Sequence, residues 1–312
     1  MTKKLLLTGA TGFVGKGLLR ALSGYSINIV GRRSVGNNSM FFQSDMAADT
    51  DYQAALQGVD VVIHAAARAH IMHEQIADPL AEYRKINVDG TLNLARQAAQ
   101  LGIKRFIFIS SIKVNGESTD GKSPFQHTDN AAPADPYGVS KAEAENKLRE
   151  LAEISGMELV IIRPPLVYGP GVKANFAAML RLAEKNLPLP FGAVHNKRSL
   201  LALDNLVDVI VTCIDHPKAA NQTFLVSDDN DVSTTELLQL MTRAAGKKPR
   251  LIPVPVTWLR FAAKITGKQA VIDRLCGNLQ LDITHTKDTL GWTPPVTVEE
   301  GIARCFADKN EC

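Results

Sequence analysis

Short apolar runs and longer amphipathic segments alternate along the chain. The runs are "KLLLT" (4–8), "INIV" (27–30), "VDVVIHAA" (59–66), "RFIFIS" (105–110), "ELVIIRP" (158–164) and, much later, "QTFLVS" (222–227). Each is nearly continuous in apolar character rather than alternating, which is what a strand covered on both faces requires. Between them, segments such as "GFVGKGLLRALS" and "EYRKINVDGTLNLARQAAQLG" carry apolar residues at helical spacing. The pattern predicts an α/β fold built on a doubly wound parallel sheet. The rhythm is clean to about residue 165, after which prolines cluster in "RPPLVYGPG", "LPLPFG" and "IPVPVTW". One domain is therefore expected over 1–165, joined by a returning strand near 222–227, and a smaller one mainly over 166–312.

Composition narrows the class. The chain has 312 residues, 45% hydrophobic and 21% charged, with a net charge of +3 and both signs spread along its length. This charge gives no argument for nucleic acid or for an anionic membrane as a partner. The opening "MTKKLLLTGATG" is too short in apolar character for a signal-peptide core, and no run approaches a membrane span. Cys213, Cys276, Cys305 and Cys312 form no C-x-x-C pair and read as reduced thiols of a cytoplasmic protein. The terminal "DKNEC" is expected to fray.

The first chemistry lies in "LLLTGATGFVGKGLLRAL", where Gly9, Gly12 and Gly15 stand between a strand and a helix, with Phe13 and Val14 inside the turn. Glycine lets backbone approach a pyrophosphate, and the helix N-terminus offers free N–H groups and a positive dipole end. The first domain is thus expected to bind a dinucleotide. At the end of the second strand an acidic residue would favour NAD, whereas arginine would accommodate the 2′-phosphate of NADP. The chain has Gly31 there, followed by Arg32 and Arg33, which leans towards NADP. Asp45, with Met46 beside it in "SDMAAD", could reach the adenine amino group.

The second chemistry lies in "DPYGVSK", where Tyr137 and Lys141 are one helical turn apart and share a helix face. Together with Gly9-x-x-Gly12-x-x-Gly15, "HAAA" (64–67), "ISS" (109–111) and "RPPLVYGPG" (163–171), this resembles the extended short-chain dehydrogenase/reductase family, in its nucleotide-sugar epimerase and dehydratase branch. The resemblance covers nearly the whole chain. It implies hydride transfer between a sugar carbon and nicotinamide, with Tyr137 as proton donor and acceptor. A phenol of pKa near 10 needs help at neutral pH, and a neighbouring ammonium lowers it. Lys141 would supply that charge and hold the nicotinamide ribose. The resemblance further implies Ser111 on the reacting oxygen, with Ser110, Ala65, Ala66, Ala67, Pro164 and Val167 along the cofactor. Asn87 aligns with an asparagine that is mainly a helix contact, and His64 is expected to end a strand and pack there. His70 and His73 lack further ligands for a metal site and read as a solvated loop.

On the substrate side the resemblance implies Asn175 near a helix start, Leu189 and Phe191 beside uracil, and Arg198 and Arg274 on a diphosphate, with Lys113 close to the sugar. Arginine's planar fork suits a diphosphate. A UDP-sugar is favoured over a steroid or flavonoid-type substrate, and a homodimer through the helices near 82–100 and 138–155 is expected. Two activities stay open: a UDP-hexose 4-epimerase, which is the leading expectation, and an NADPH-dependent reductase of a UDP-4-keto-6-deoxy-sugar, favoured by "GRR". A 4,6-dehydratase is disfavoured, because Ile112 and Lys113 stand where such enzymes carry an acidic pair. A non-catalytic NAD(P)-sensing regulator would usually have lost the tyrosine–lysine pair. "LGWTPP" (290–295) reads as structural.

Overall fold

The computed structural model describes residues 3–36, 39–69 and 78–307. His70, His73 and the "DKNEC" end lie outside the described residues. The first half lays down β1 (Lys4–Thr8), α1 (Phe13–Ala21), β2 (Ser26–Gly31), β3 (Met40–Gln43), α2 (Gln53–Leu56) and β4 (Val61–His64). There follow α3 (Pro79–Arg84), α4 (Thr91–Gln100), β5 (Arg105–Ile109), α5 (Pro136–Ser155) and β6 (Glu158–Arg163). The second half adds β7 (Leu166–Tyr168), α6 (Ala174–Lys185), β8 (Leu200–Ala202), α7 (Leu203–Asp215) and β9 (Gln222–Leu225). It ends with α8 (Thr234–Ala244), α9 (Val256–Ile265), α10 (Gln269–Cys276), α11 (Thr284–Leu290) and α12 (Val298–Ala307).

Seven strands form one parallel sheet in the order β3-β2-β1-β4-β5-β6-β9, and β7 and β8 form a small parallel pair apart from it. The returning strand expected near 222–227 is β9, paired with β6. Side chains alternate across the sheet as the pleat demands. Leu5, Leu7, Ile29, Ile63, Ile107 and Ile162 face α7 through Leu206, Val209 and Ile210. Leu6, Val62, Phe106, Phe108 and Ile161 face α4 and α5 through Leu94, Ala98, Ala144 and Leu148. Each such side chain removed from water contributes roughly 1.5–3 kcal/mol, which is why continuous apolar runs were needed here. β3 is half-exposed at the sheet edge, and its "MFFQ" was too short and too mixed to stand out.

The run 59–66 overshoots its strand, because Ala65 and Ala66 leave the sheet to meet the glycine turn. The helix from Pro79 to Gln100 contains a π-helical stretch over Lys85–Gly90, a form frequent near functional sites. Two smaller cores lie in the second half. One joins Tyr168, Phe176, Leu180, Met241, Val298 and Ile302. The other is thin: Val194, Leu259 and Cys276, with four partly buried neighbours.

Candidate active site

The glycine turn is dictated by contact. Gly9 has φ +77°, and a Cβ there would lie 2.7 Å from the backbone of Ala65 and Ala66. At Gly15 a Cβ would lie 2.1 Å from the Gly9 carbonyl oxygen, so α1 reaches the turn only without a side chain at that position. Gly12 caps α1 with extended backbone and no side-chain cap, leaving the first N–H groups of the helix without an intrahelical partner. Below the turn, Thr8 Oγ1 accepts from the Ala66 N–H (3.2 Å) and shares a hydrogen bond with His64 Nδ1 (2.7 Å), while His64 Nε2 meets Thr91 Oγ1 at 2.9 Å. Burial, with Lys141's charge, pushes His64 down to about 3, so this histidine is a neutral strut.

At the end of β2, Arg32 and Arg33 are both exposed. Arg33 lines a surface hollow of about 520 Å³ together with Thr11, Lys16, Arg20 and Ser34. Arg32 is not among its lining residues. Lys16 and Arg20 were missed in the sequence, although their spacing on α1 places both cations on one helix face. Asp45 is exposed, and its carbonyl accepts from Thr50 Oγ1 at 2.9 Å. Met46 packs partly into the core, its carbonyl so close to Gly90 that a Cβ there would come within 2.8 Å.

α5 is set by Asp135 and Pro136. The Asp135 carboxylate accepts from the Gly138 N–H at 2.6 Å, and proline occupies the first helical turn, where no N–H is needed. Gly138 sits against the Lys113 carbonyl, which a Cβ would approach to 2.8 Å. One turn on, Lys141 Nζ donates to the Ile109 carbonyl at 2.7 Å and lies 4.3 Å above the Phe108 ring. These two links bring Tyr137 and Lys141 to the end of β5, where Ser111 begins a 3-10 turn over Ile112–Val114 and remains half-exposed.

Burial brings Lys141 down to about 7, opposed by Glu145. Burial, then the Asp135 charge and the neighbouring Tyr83, push Tyr137 above the usual phenol range. Tyr83 lies 5.8 Å away, ring to ring. In the protein chain by itself burial dominates the phenol, and the Lys141 ammonium is taken by the Ile109 carbonyl.

Two sequence expectations change here. Ser110 is buried and its hydroxyl donates to Glu145 at 2.5 Å. Glu145 in turn takes Arg163 through both oxygens (2.9 and 2.6 Å) and Arg149 at 3.0 Å. Burial would raise Glu145, but Arg163, Ser110 and Arg149 hold it below the usual carboxylate range. Ser110's side chain therefore belongs to a buried network, whereas Ser111 is half-exposed and its Oγ accepts from the Lys113 N–H at 3.3 Å. Lys113 is committed to Asp135 and, at 3.0 Å, to Glu117. Its place is as a brace for the α5 cap, a role invisible in sequence because Asp135 is 22 residues away. Asn87 donates to Ser140 Oγ and to the Arg68 carbonyl (both 3.0 Å) and accepts from the Arg68 N–H, tying the π-helical stretch to α5. The Pro164 carbonyl accepts from Ile112 N–H at 2.9 Å, and Val167 packs on the main core.

In the second half, Arg198 lies between strands of backbone: its main chain pairs with Val232, and its guanidinium donates to the carbonyls of Arg274 (2.9 Å) and Gly277 (3.1 Å). Burial and the charge of Arg274 lower its pKa. The Arg274 charge is thus near enough to act on Arg198, as an anionic ligand would need. Leu189 pairs with Leu251, Phe191 packs on the thin core, and Asn175 is exposed at the start of α6. A hydrogen-bonded web links this region to the Ser111 loop: Thr119 N–H to the Asn278 carbonyl (3.0 Å), Phe125 N–H to Gln280 (2.9 Å), and Ser199 N–H to Leu279 (2.8 Å). Among the described residues no cluster of three metal-ligating side chains occurs.

Comparison with known proteins places this geometry. The chain is 53% identical to a protein of Vibrio cholerae named UDP-glucose 4-epimerase, over 99% of this chain and 97% of that one. It is 28% identical to N-acetyl-alpha-D-glucosaminyl-diphospho-ditrans,octacis-undecaprenol 4-epimerase of Escherichia coli O157:H7, over 97% and 94% of the two chains. The solved UDP-N-acetylglucosamine 4-epimerase of Bacillus cereus shares the fold at a TM-score of 0.79 and 20% identity, covering 97% of this chain and 98% of its own. Residues 5–227 match the profile of the NAD dependent epimerase/dehydratase family, and the chain belongs to that family.

Proposed function

We propose that the protein is a UDP-sugar 4-epimerase, with residues 1–165 holding the dinucleotide and 166–312 mainly holding the sugar nucleotide. The observation that carries this reading is the placement of Tyr137, Lys141 and Ser111 at the end of β5, in a chain 53% identical to a protein named UDP-glucose 4-epimerase. NAD, when bound, supplies the hydride acceptor and then the donor. The glycine cradle fits a dinucleotide: Gly9, Gly12 and Gly15, with Phe13 and Val14, would hold its diphosphate at the N-terminus of α1. Asp45 and Met46 would lie near the adenine, and Ala65, Ala66, Ala67, Pro164 and Val167 along its length.

Tyr137, as the phenolate that the charges of Lys141 and of bound nicotinamide together would favour, takes the proton of the C4 hydroxyl to become the phenol and later returns it, while Ser111 would hold that oxygen by a hydrogen bond. Lys141, buried at the end of β5, would turn its charge to the nicotinamide ribose and support the Tyr137 phenolate before the proton is taken. Arg198 and Arg274 grip the diphosphate, Leu189 and Phe191 flank the uracil, and Asn175 borders the opening. The 4-keto sugar turns over between the two transfers, so no net oxidation remains. A homodimer and a cytoplasmic location belong to the same proposal.

The test is incubation with UDP-glucose or UDP-N-acetylglucosamine without added nucleotide, followed by separation of the C4 epimers. Formation of the epimer supports the reading; an absence of epimer with every UDP-hexose tried defeats it. The hollow lined by Lys16, Arg20 and Arg33 favours a second reading, an NADPH-dependent 4-ketoreductase, because three cations there suit a 2′-phosphate. Denaturing the purified protein and identifying the released nucleotide separates the two: retained NAD supports the epimerase, an empty site that takes NADPH the reductase.

A further inference from the structure

α9 has two apolar faces. Leu259 and Ala263 turn inwards and are buried in or beside the thin core. At about 100° per residue, Trp258, Phe261 and Ile265 fall together on a different face. That face is bare: the three residues are 68%, 64% and 72% exposed. Val271 on the adjoining α10 and Ile252 in the segment leading into α9 are also more than half exposed. Scattered single apolar residues on a surface mean little, but a contiguous aromatic and aliphatic face marks an interaction site.

Charge says what covers it. Residues 247–274 contain seven lysines and arginines and one acid, Asp273, although the whole chain carries only +3. Asp273 is occupied by Arg260 at 3.5 Å. Lys264 and Lys268 are exposed, Lys264 on α9 itself and Lys268 just after it. Whole-chain net charge averages this concentration away, which is why it gave no argument for a membrane.

We propose that the α9–α10 face docks on the surface of an anionic lipid bilayer, with Trp258, Phe261 and Ile265 in the headgroup layer and Lys264 and Lys268 on the lipid phosphates. An aromatic and aliphatic stripe beside lysines complements a surface that is acidic outside and apolar just beneath. No helix among the described residues is long and apolar enough to cross a membrane, so the contact is peripheral. The Arg274 carbonyl, which binds Arg198, lies on the same helix pair, so docking would set the substrate-side arginines close to the bilayer.

Vesicle binding tests this. The protein has two tryptophans; Trp292 is 5% exposed and donates to Asp208, so a change in emission on adding vesicles reports Trp258. Vesicles containing about one-third phosphatidylglycerol in phosphatidylcholine are expected to blue-shift the emission and to bind the protein at least about tenfold better than phosphatidylcholine alone, with the difference shrinking at high salt. The Trp258→Asp/Phe261→Asp double variant is expected to lose that binding about tenfold or more while keeping its thermal unfolding and its turnover of free UDP-sugar. Lys264→Glu, which leaves the apolar face intact, is expected to weaken binding to the anionic vesicles only. An unshifted emission, or equal partition of wild type and double variant, overturns the proposal. So does a wild-type oligomer that ignores vesicles and is split by the double variant, since a second copy then covers the face. Vesicle binding by a protein without epimerase activity would support docking and defeat the proposed function separately.

Discussion

The end of β5 and the region around Arg198 are built in opposite ways. At the end of β5, side chains are fixed by backbone: Gly138 against the Lys113 carbonyl, Lys141 on the Ile109 carbonyl, Glu145 holding Ser110, Arg149 and Arg163. All of this rests on a sheet with a large buried core on each face. Around Arg198, the segments 189–198 and 251–277 share a core of three buried side chains and depend on strand-like pairing between loops. Proton transfer needs fixed geometry, whereas recognition of a diphosphate tolerates some movement because charge acts over distance. On the proposed function, the densely bonded region would carry the chemistry and the thinly cored one the choice of ligand.

The sharpest test of this division is Tyr137→Phe. It is expected to lower turnover by about 10²–10⁴-fold with substrate binding and thermal stability kept, since it removes one proton-transferring group. A parallel loss of binding would mean that the two regions are not separate. Next comes a pair of stability measurements. Glu145→Gln is expected to cost about 3–5 kcal/mol in urea unfolding, because it uncouples buried Arg163 from its counter-charge. Leu259→Ala, in the thin core, is expected to cost about 2 kcal/mol and to loosen α9 and α10 alone, visible as faster local hydrogen exchange. Global unfolding by Leu259→Ala would erase the contrast.

Arg198→Ala is expected to raise KM for a UDP-sugar by about tenfold or more with kcat little changed, a loss of uniform binding. A fall in kcat alone would place Arg198 with the chemistry instead.

The smallest effect is a slope. Lys141 is held at about 7 against an ordinary 10.5, so between these values the unfolded chain binds a proton that the folded one has released. Stability therefore rises with pH above about 7, by at most about 1.4 kcal/mol per unit. Cys213, pushed by burial from 9.0 up to about 12, acts in the opposite sense above 9. The rise is thus expected between pH 7 and 9, and Lys141→Met should flatten it in urea titrations across that range.

The parallel sheet was legible because burial on both faces forces unbroken apolar runs, as in "VDVVIHAA" and "RFIFIS". The edge strand Met40–Gln43 and the three-residue strands Leu166–Tyr168 and Leu200–Ala202 escaped, having too few residues to show a period. At the site, glycine spacing and the Tyr137–Lys141 pair were readable because backbone approach and helix geometry are local. What neighbours do to a charge was not. The partners of Lys113, Asp135 and Glu117, and the Glu145 that separates Ser110 from Ser111, act through contacts that only the fold makes. The basic face near Trp258 was hidden by an average.

Gly138 carries a wider consequence. Because helix and loop touch there through bare backbone, the height of the phenol above the strand end is set by main-chain atoms, like a shoulder machined on a shaft. Exposed side chains on α5, and the thinly cored segments 189–198 and 251–277, can change without moving that reference. On the proposed function, a chain of this kind would acquire a new sugar by altering the clamp while the reacting oxygen is met at the same distance, which would decouple the inheritance of the reaction from that of its substrate.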